Sequence, residues 1–127
     1  MTKDRINTVK TIFVDIDGTI CTNRSIKYKN PSLYQDVQAD YENATPKQDR
    51  IDYVNSLYED GHHITYWTAR GCKSGIDYME FTTNQLKEWG CKYDDVQVGN
   101  KPHFDMYICD KSYNSESFFQ RTLSELP

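Results

Sequence analysis

The stretch Thr11-Ile12-Phe13-Val14-Asp15-Ile16 constrains this chain more than any other feature. It is β-branched and aromatic, with too few polar alternations for a half-exposed strand, so it reads as a strand buried on both faces at the centre of a parallel sheet. The run ends on Asp15-Ile16-Asp17-Gly18-Thr19, where the glycine permits a backbone turn that other residues resist. Two carboxylates are thereby placed at the carboxyl end of a strand. In open parallel sheets that end is where ligands bind.

The alternation continues along the chain. Thr45-Pro46-Lys47-Gln48 offers an N-cap Thr, a proline at the first helical position and a Gln three residues after the cap. A helix is expected from there, with Ile51, Val54, Leu57 and Tyr58 on its apolar face and Gly61 ending it. His63-Ile64-Thr65-Tyr66-Trp67 reads as a second strand running into Thr68-Ala69-Arg70-Gly71. Ile76 to Trp89 gives a second amphipathic helix stopped by Gly90. Short strands are expected at Val96-Gln97-Val98 and at Met106-Tyr107-Ile108-Cys109, then a last helix from Ser112 to Leu123. Strands alternating with helices imply a three-layer, Rossmann-like α/β fold with a mainly parallel sheet, formed by residues 1–127 as a single domain. The segment 21–44 lacks periodicity and carries Tyr28, Tyr34 and Tyr41. It reads as an insert loop or hairpin near the site, too short to be a separate cap domain, and its tyrosines could wall the site or pin the loop to the core.

Composition narrows the function classes. With 15 Lys+Arg against 19 Asp+Glu the chain carries a formal charge of −4, which argues against nucleic acid held mainly through its phosphate backbone. No apolar stretch approaches the roughly 20 residues of a membrane span. The mixed-charge N-terminus lacks a signal core, so a cytoplasmic protein is expected. Cys21, Cys72, Cys91 and Cys109 are widely spaced, fitting neither a zinc site nor a disulfide scaffold.

Asp15, Asp17, Thr68, Lys101 and Asp110 all fall at or just after expected strand ends, so a parallel sheet brings them to one edge. Carboxylates with a Lys and a Thr suit a hard cation and a phosphoryl group. Mg²⁺ takes oxygen ligands and keeps several waters, so Asp15 and Asp110 suffice as its carboxylates. Lys101 adds a second positive charge, Thr68 offers a hydroxyl, and the N–H groups of Ala69 and Arg70 lie beside it. One aspartate can attack phosphorus while the other acts as acid and then base. Taken singly, each element has a plainer account as a turn, a cap or a solvated side chain; it is their ordered recurrence at four strand ends that points to a site. Arg70 reads either as a phosphate or carboxylate contact or as a solvent-facing side chain, and His103 as a neighbour of the site or a surface turn. His62-His63, at a helix end, reads as a partner of the helix dipole.

These residues resemble the four motifs of the haloacid dehalogenase-like hydrolases, in order and over nearly the whole chain. The pattern also includes Asn55, Leu57-Tyr58-x-x-Gly61-His62, Trp67-Thr68-Ala69-Arg70-Gly71, Gln85-Leu86-x-x-Trp89-Gly90 and Gly99-x-Lys101-Pro102-x-Phe104-Asp105. In this form it is similar to small phosphatase-like proteins associated with capsule and polysaccharide biosynthesis. The resemblance implies that Asp15 is a nucleophile forming an aspartyl-phosphate and Asp17 the acid/base, an Asp at the second position marking phosphatases and phosphomutases over ATPases. It further implies that the Asp15 carboxylate, the Asp17 backbone carbonyl and Asp110 bind Mg²⁺, while Thr68 and Lys101 hold the phosphoryl group. One departure stands out. Cys109-Asp110-Lys111 keeps one of two adjacent acids, and Asn114 stands where the other form of that motif has a second Asp. Asn114 can hold a metal-bound water without adding charge, so metal binding is expected to survive in weakened form. Cys109, a soft ligand, is expected to pack in its strand.

The reading that follows is a Mg²⁺-dependent phosphomonoester hydrolase acting on a small phosphorylated metabolite such as a sugar phosphate. Water exclusion would come from the insert, the substrate or a neighbouring subunit of a homo-oligomer. The alternatives are a polynucleotide or nucleotide end phosphatase, a phosphorylation-controlled domain like a response-regulator receiver, and a catalytically weak phosphate-binding domain.

Overall fold

His63-Ile64-Thr65-Tyr66-Trp67-Thr68 forms the middle strand of the sheet, and its side chains explain why. Ile64 and Tyr66 are fully buried, and Thr65 and Thr68 nearly so, as a strand covered on both faces requires. In the computed structural model, which describes residues 8–22, 41–102 and 104–125, the elements alternate as β1 (Thr11–Val14), α1 (Gln48–Glu59), β2 (His63–Thr68), α2 (Met79–Glu88), β3 (Asp95–Val98) and α3 (Ser115–Glu125). The sheet order is β1-β2-β3 and both pairings are parallel. Val14 pairs with Tyr66, and Thr68 with Val98. The carboxyl ends of all three strands therefore lie along one edge.

The chain is thus a small α/β protein built on an open parallel sheet. Ile51 and Val54 from α1, Leu86 from α2 and Phe119 from α3 pack with Val14, Ile64 and Tyr66 in one apolar cluster. Each such side chain stabilises the fold by roughly 1.5–3 kcal/mol when fully buried. Tyr53 lies edge-on to Phe119 at 6.3 Å and to Phe118 at 6.0 Å, joining α1 to α3.

Several local expectations are corrected. The expected centrally placed first strand, buried on both faces, is instead an edge strand among the described residues, with Phe13 50% exposed. Its ring meets Trp67 edge-on at 5.5 Å, so an aromatic pair on one face accounts for a residue type that suggested burial. Met106 to Cys109 forms no strand: Ile108 is 87% exposed and the run has no ladder partner among the described residues. Strand propensity reports a fit to a neighbouring strand, and among the described residues none lies alongside.

Helix starts also shift inward. Thr45 does not cap α1, which starts at Gln48 with Lys47 at the N-cap and no side-chain cap; instead the Thr45 N–H donates to the Thr22 hydroxyl, its carbonyl accepts the Thr22 N–H, and Pro46 bridges Cys21. α2 begins at Met79 rather than Ile76, where the Asp77 carboxylate accepts the Met79 N–H. α3 begins at Ser115, with Asn114 accepting the N–H groups of Glu116 and Ser117. The insert's central part, with Tyr28 and Tyr34, lies outside the described residues, as does His103. No helix among the described residues is long and apolar enough to cross a membrane.

Candidate functional site

The loop after β1 is shaped by its own backbone. The Ile16 carbonyl accepts the N–H groups of Thr19 and Ile20, each at 3.0 Å, and Gly18 takes a φ of 83° to let the chain turn. The turn buries Ile16, Ile20 and Cys21 and leaves Asp15 and Asp17, on either side of Ile16, at the sheet's carboxyl edge. Asp15 is the more open of the two, with its side chain 40% exposed.

Lys101 arrives from the far side of the sheet. Its Nζ lies 3.0 Å from Asp15 Oδ1, across a sequence separation of 86 residues. The Gly99 N–H donates to the Thr68 carbonyl, and Trp67 Nε1 donates to Asn100 Oδ1 at 2.9 Å, which ties the loop after β3 to the end of β2. The Lys101 ammonium also lies 5.3 Å from the Trp67 ring centroid. On the other oxygen, Asp15 Oδ2 accepts the Thr19 hydroxyl at 3.1 Å. The Asp15 carboxylate is therefore oriented from both sides.

Asp17 has a different partner. Arg70 holds it bidentately, Nε to Oδ2 at 3.0 Å and Nη2 to Oδ1 at 2.8 Å. The Arg70 side chain is fully buried. Its Nη1 donates to Gln85 Oε1 at 2.8 Å and to the Thr82 hydroxyl at 3.3 Å, and its guanidinium carbon lies 4.5 Å from the Tyr41 ring centroid. The expectation of Arg70 as a solvent-facing side chain is therefore corrected. Four of its five N–H donors go to Asp17, Thr82 and Gln85, and Tyr41 lies over its guanidinium.

Cys21 Sγ sits 3.7 Å from Asp17 Oδ1 and 3.6 Å from the Ile16 carbonyl. Burial pushes this thiol up to about 12, and the Asp17 carboxylate adds to the rise while Arg70 opposes it. It stays a protonated donor.

Thr68 lies at the end of β2 with its hydroxyl oxygen accepting the Arg70 N–H at 3.2 Å, which leaves its own hydrogen to give. The Arg70 N–H is thus spent within the loop, while Ala69 precedes it and its carbonyl accepts from Cys72. Gly71 makes this loop, since a Cβ there would stand 2.1 Å from the Ile76 carbonyl oxygen.

The remaining expected residues do not join the cluster. Asp110 is exposed, its carboxylate beside Cys109 Sγ at 3.9 Å. Cys109 is part-exposed in a loop rather than packed in a strand. Asn114 serves as the cap of α3, its amide oxygen taken by two backbone N–H groups. Among the described residues no group of three or more His, Cys, Asp or Glu side chains is gathered to hold a metal. His62 Nδ1 accepts the Lys10 N–H.

Three supports escaped the sequence reading. The Thr19 hydroxyl and the Gln85 amide both lie within quoted motifs, but their spacing says nothing of their partners. Arg50 carried no signal: its Nη1 donates to the Thr19 carbonyl at 2.9 Å and to Glu116 at 2.8 Å, tying the aspartate loop to α3. A cleft lined by Tyr58, Glu59, Lys87, Lys92 and Tyr93 includes none of the strand-end residues.

No protein-family model and no curated protein matches the chain. Among solved structures, the chain is similar to a protein from Vibrio cholerae described as an MCSG target, at 24% sequence identity and a TM-score of 0.65, with 87% of each chain covered. That likeness supports the α/β fold and carries no function.

Proposed function

We propose that this chain is a phosphomonoester hydrolase of the haloacid dehalogenase-like kind, acting through an aspartyl-phosphate on a small phosphorylated metabolite such as a sugar phosphate. The observation that carries the reading is the Asp15–Lys101 pair, an accessible carboxylate and an ammonium 3.0 Å apart at the carboxyl ends of two parallel strands. An oriented, partly exposed carboxylate can attack phosphorus, and the adjacent cation can neutralise charge on the phosphoryl oxygens. Asp15 would form the new O–P bond as the bond to the leaving oxygen breaks, and Asp17 would protonate that oxygen. Water then attacks phosphorus, Asp17 takes its proton, and inorganic phosphate departs as Asp15 is restored. Thr68 has a hydroxyl hydrogen left to donate to a phosphoryl oxygen.

The donor chemistry at Asp15 and at the Asp17 backbone carbonyl fits Mg²⁺, a hard cation that retains waters and needs few protein oxygens. Asp110 lies exposed outside this cluster, so it would serve as a further ligand only if the loop that carries it moved in. Bound there, the ion would offset the repulsion between the carboxylates and a phosphate dianion.

The test is phosphate release from a panel of phosphorylated sugars and nucleotides with and without Mg²⁺. The expected result is Mg²⁺-dependent turnover that disappears in Asp15→Asn. Turnover unaffected by that change would overturn the assignment. The exposed position of Asp110 favours a second reading, a phosphate-binding domain of very low turnover. Phosphate binding without hydrolysis across the panel would support it.

A further inference from the structure

We infer that Arg70 is a positioning residue for the proton transfer assigned to Asp17, and that the oxygen which transfers the proton is Oδ2. The inference rests on the phosphatase reading and deepens it. A carboxylate has about two lone-pair directions on each oxygen. Asp17 Oδ1 faces Arg70 Nη2 at 2.8 Å and the Cys21 thiol at 3.7 Å, whose one hydrogen is shared with the Ile16 carbonyl, whereas among the described residues Oδ2 meets only Arg70 Nε at 3.0 Å. Oδ2 therefore keeps a direction free for the leaving oxygen or for water.

The fork geometry matters because a bidentate guanidinium fixes the carboxylate plane, which a single point charge does not. Arg70 is itself immobilised. Gln85 accepts from its Nη1 and, through Nε2, donates to the Tyr41 carbonyl at 2.7 Å. Tyr41 in turn lays its ring over the guanidinium. The chain Tyr41, Gln85, Arg70, Asp17 thus sets the position of one oxygen from α2 and from the segment that enters α1. Proton transfer requires heavy atoms within hydrogen-bond reach, so its rate depends on that placement.

A defect in leaving-group protonation has a signature that general damage lacks. Esters with a poor leaving group, such as alkyl phosphates, need the proton, while p-nitrophenyl phosphate departs well without it. Arg70→Lys, which keeps the charge and loses the fork, is expected to lower kcat on an alkyl phosphate by about 30-fold or more and on p-nitrophenyl phosphate by roughly threefold, with KM for both little changed. Gln85→Met, which leaves the ion pair intact but removes its outer support, is expected to show the same selectivity to a smaller degree. It also serves where Arg70→Lys fails to fold, as judged by thermal melting. Equal losses on the two esters, or a loss confined to KM, would overturn the proposal while leaving the phosphatase reading standing. An unaltered protein that hydrolyses neither ester would overturn both.

Discussion

The Thr19 hydroxyl donates to Asp15 Oδ2 at 3.1 Å, on the oxygen opposite the one Lys101 holds. A residue four positions on in the same turn therefore completes the orientation of the most accessible carboxylate at the sheet edge. Thr19→Val keeps the β-branched shape and removes the donor. We expect a stability loss of about 1 kcal/mol, the ordinary net worth of one hydrogen bond, and a fall in kcat of about tenfold from a carboxylate free to rotate. Urea denaturation and phosphate-release kinetics would check the two halves separately; an unchanged kcat would show that Lys101 alone orients Asp15.

The two ion pairs of the site differ in exposure and so in what they contribute. Lys101 pairs with a carboxylate 40% open to solvent, and Lys101→Met should change stability by less than about 1 kcal/mol. Its cost should fall on chemistry instead, about 100-fold in kcat through loss of charge stabilisation at the phosphoryl oxygens. Arg70→Met is the reverse case, because it strands a part-buried Asp17 without its partner, and about 3 kcal/mol or more of stability should go. Denaturant midpoints for the pair of variants would show the contrast, and a Lys101→Met protein as destabilised as Arg70→Met would contradict it.

How much of this was legible in the sequence depends on which part of the physics each feature rests on. Asp15 and Lys101 could be brought together from 86 residues apart because each follows a strand, and parallel strands carry their ends to one edge. The Asp17–Arg70 pair could not be read the same way. Arg70 also follows a strand, but its direction is set by Thr82 and Gln85 on a helix packed behind it, and no spacing within Thr68-Ala69-Arg70 encodes that choice. Met106 to Cys109 shows the opposite failure, an apolar run with strand propensity and, among the described residues, nothing alongside to pair with. Asn114, placed by the sequence inside the last helix and read as a holder of metal-bound water, instead caps that helix, which starts one residue later.

Gly71 should be less replaceable than Gly75, the other glycine between β2 and α2. The φ of Gly71 is +85°, and a Cβ would sit 2.1 Å from a backbone carbonyl oxygen that cannot swing away as a side chain can. Gly75 has a similar φ of +77° but open space around it. Gly75→Ala should therefore cost only the left-handed strain, about 1 kcal/mol, whereas Gly71→Ala should cost about 3 kcal/mol and displace Arg70 with it. Thermal melting of the two variants tests the difference, and equal losses would mean that the loop relaxes freely around residue 71.

The cysteines should separate by reactivity in an order set by their surroundings. Burial pushes Cys21 up to about 12 and Cys91 up to about 11, so both are held as thiols well above neutral pH. Cys109 moves the other way: the Tyr107 hydroxyl and then the Lys111 N–H donate to its sulfur and hold it below the ordinary thiol value. Because the thiolate is the nucleophile, a lowered value means that alkylation at Cys109 reaches its plateau at a lower pH than a free cysteine would, while Cys21 and Cys91 go on gaining reactivity well past pH 9. Iodoacetamide labelling of the folded protein across pH 6 to 10, mapped by peptide mass, should find Cys109 modified before either. Tyr107→Phe should move the Cys109 profile upward in pH, and labelling of Cys21 ahead of Cys109 in the native protein would contradict the burial of the aspartate loop.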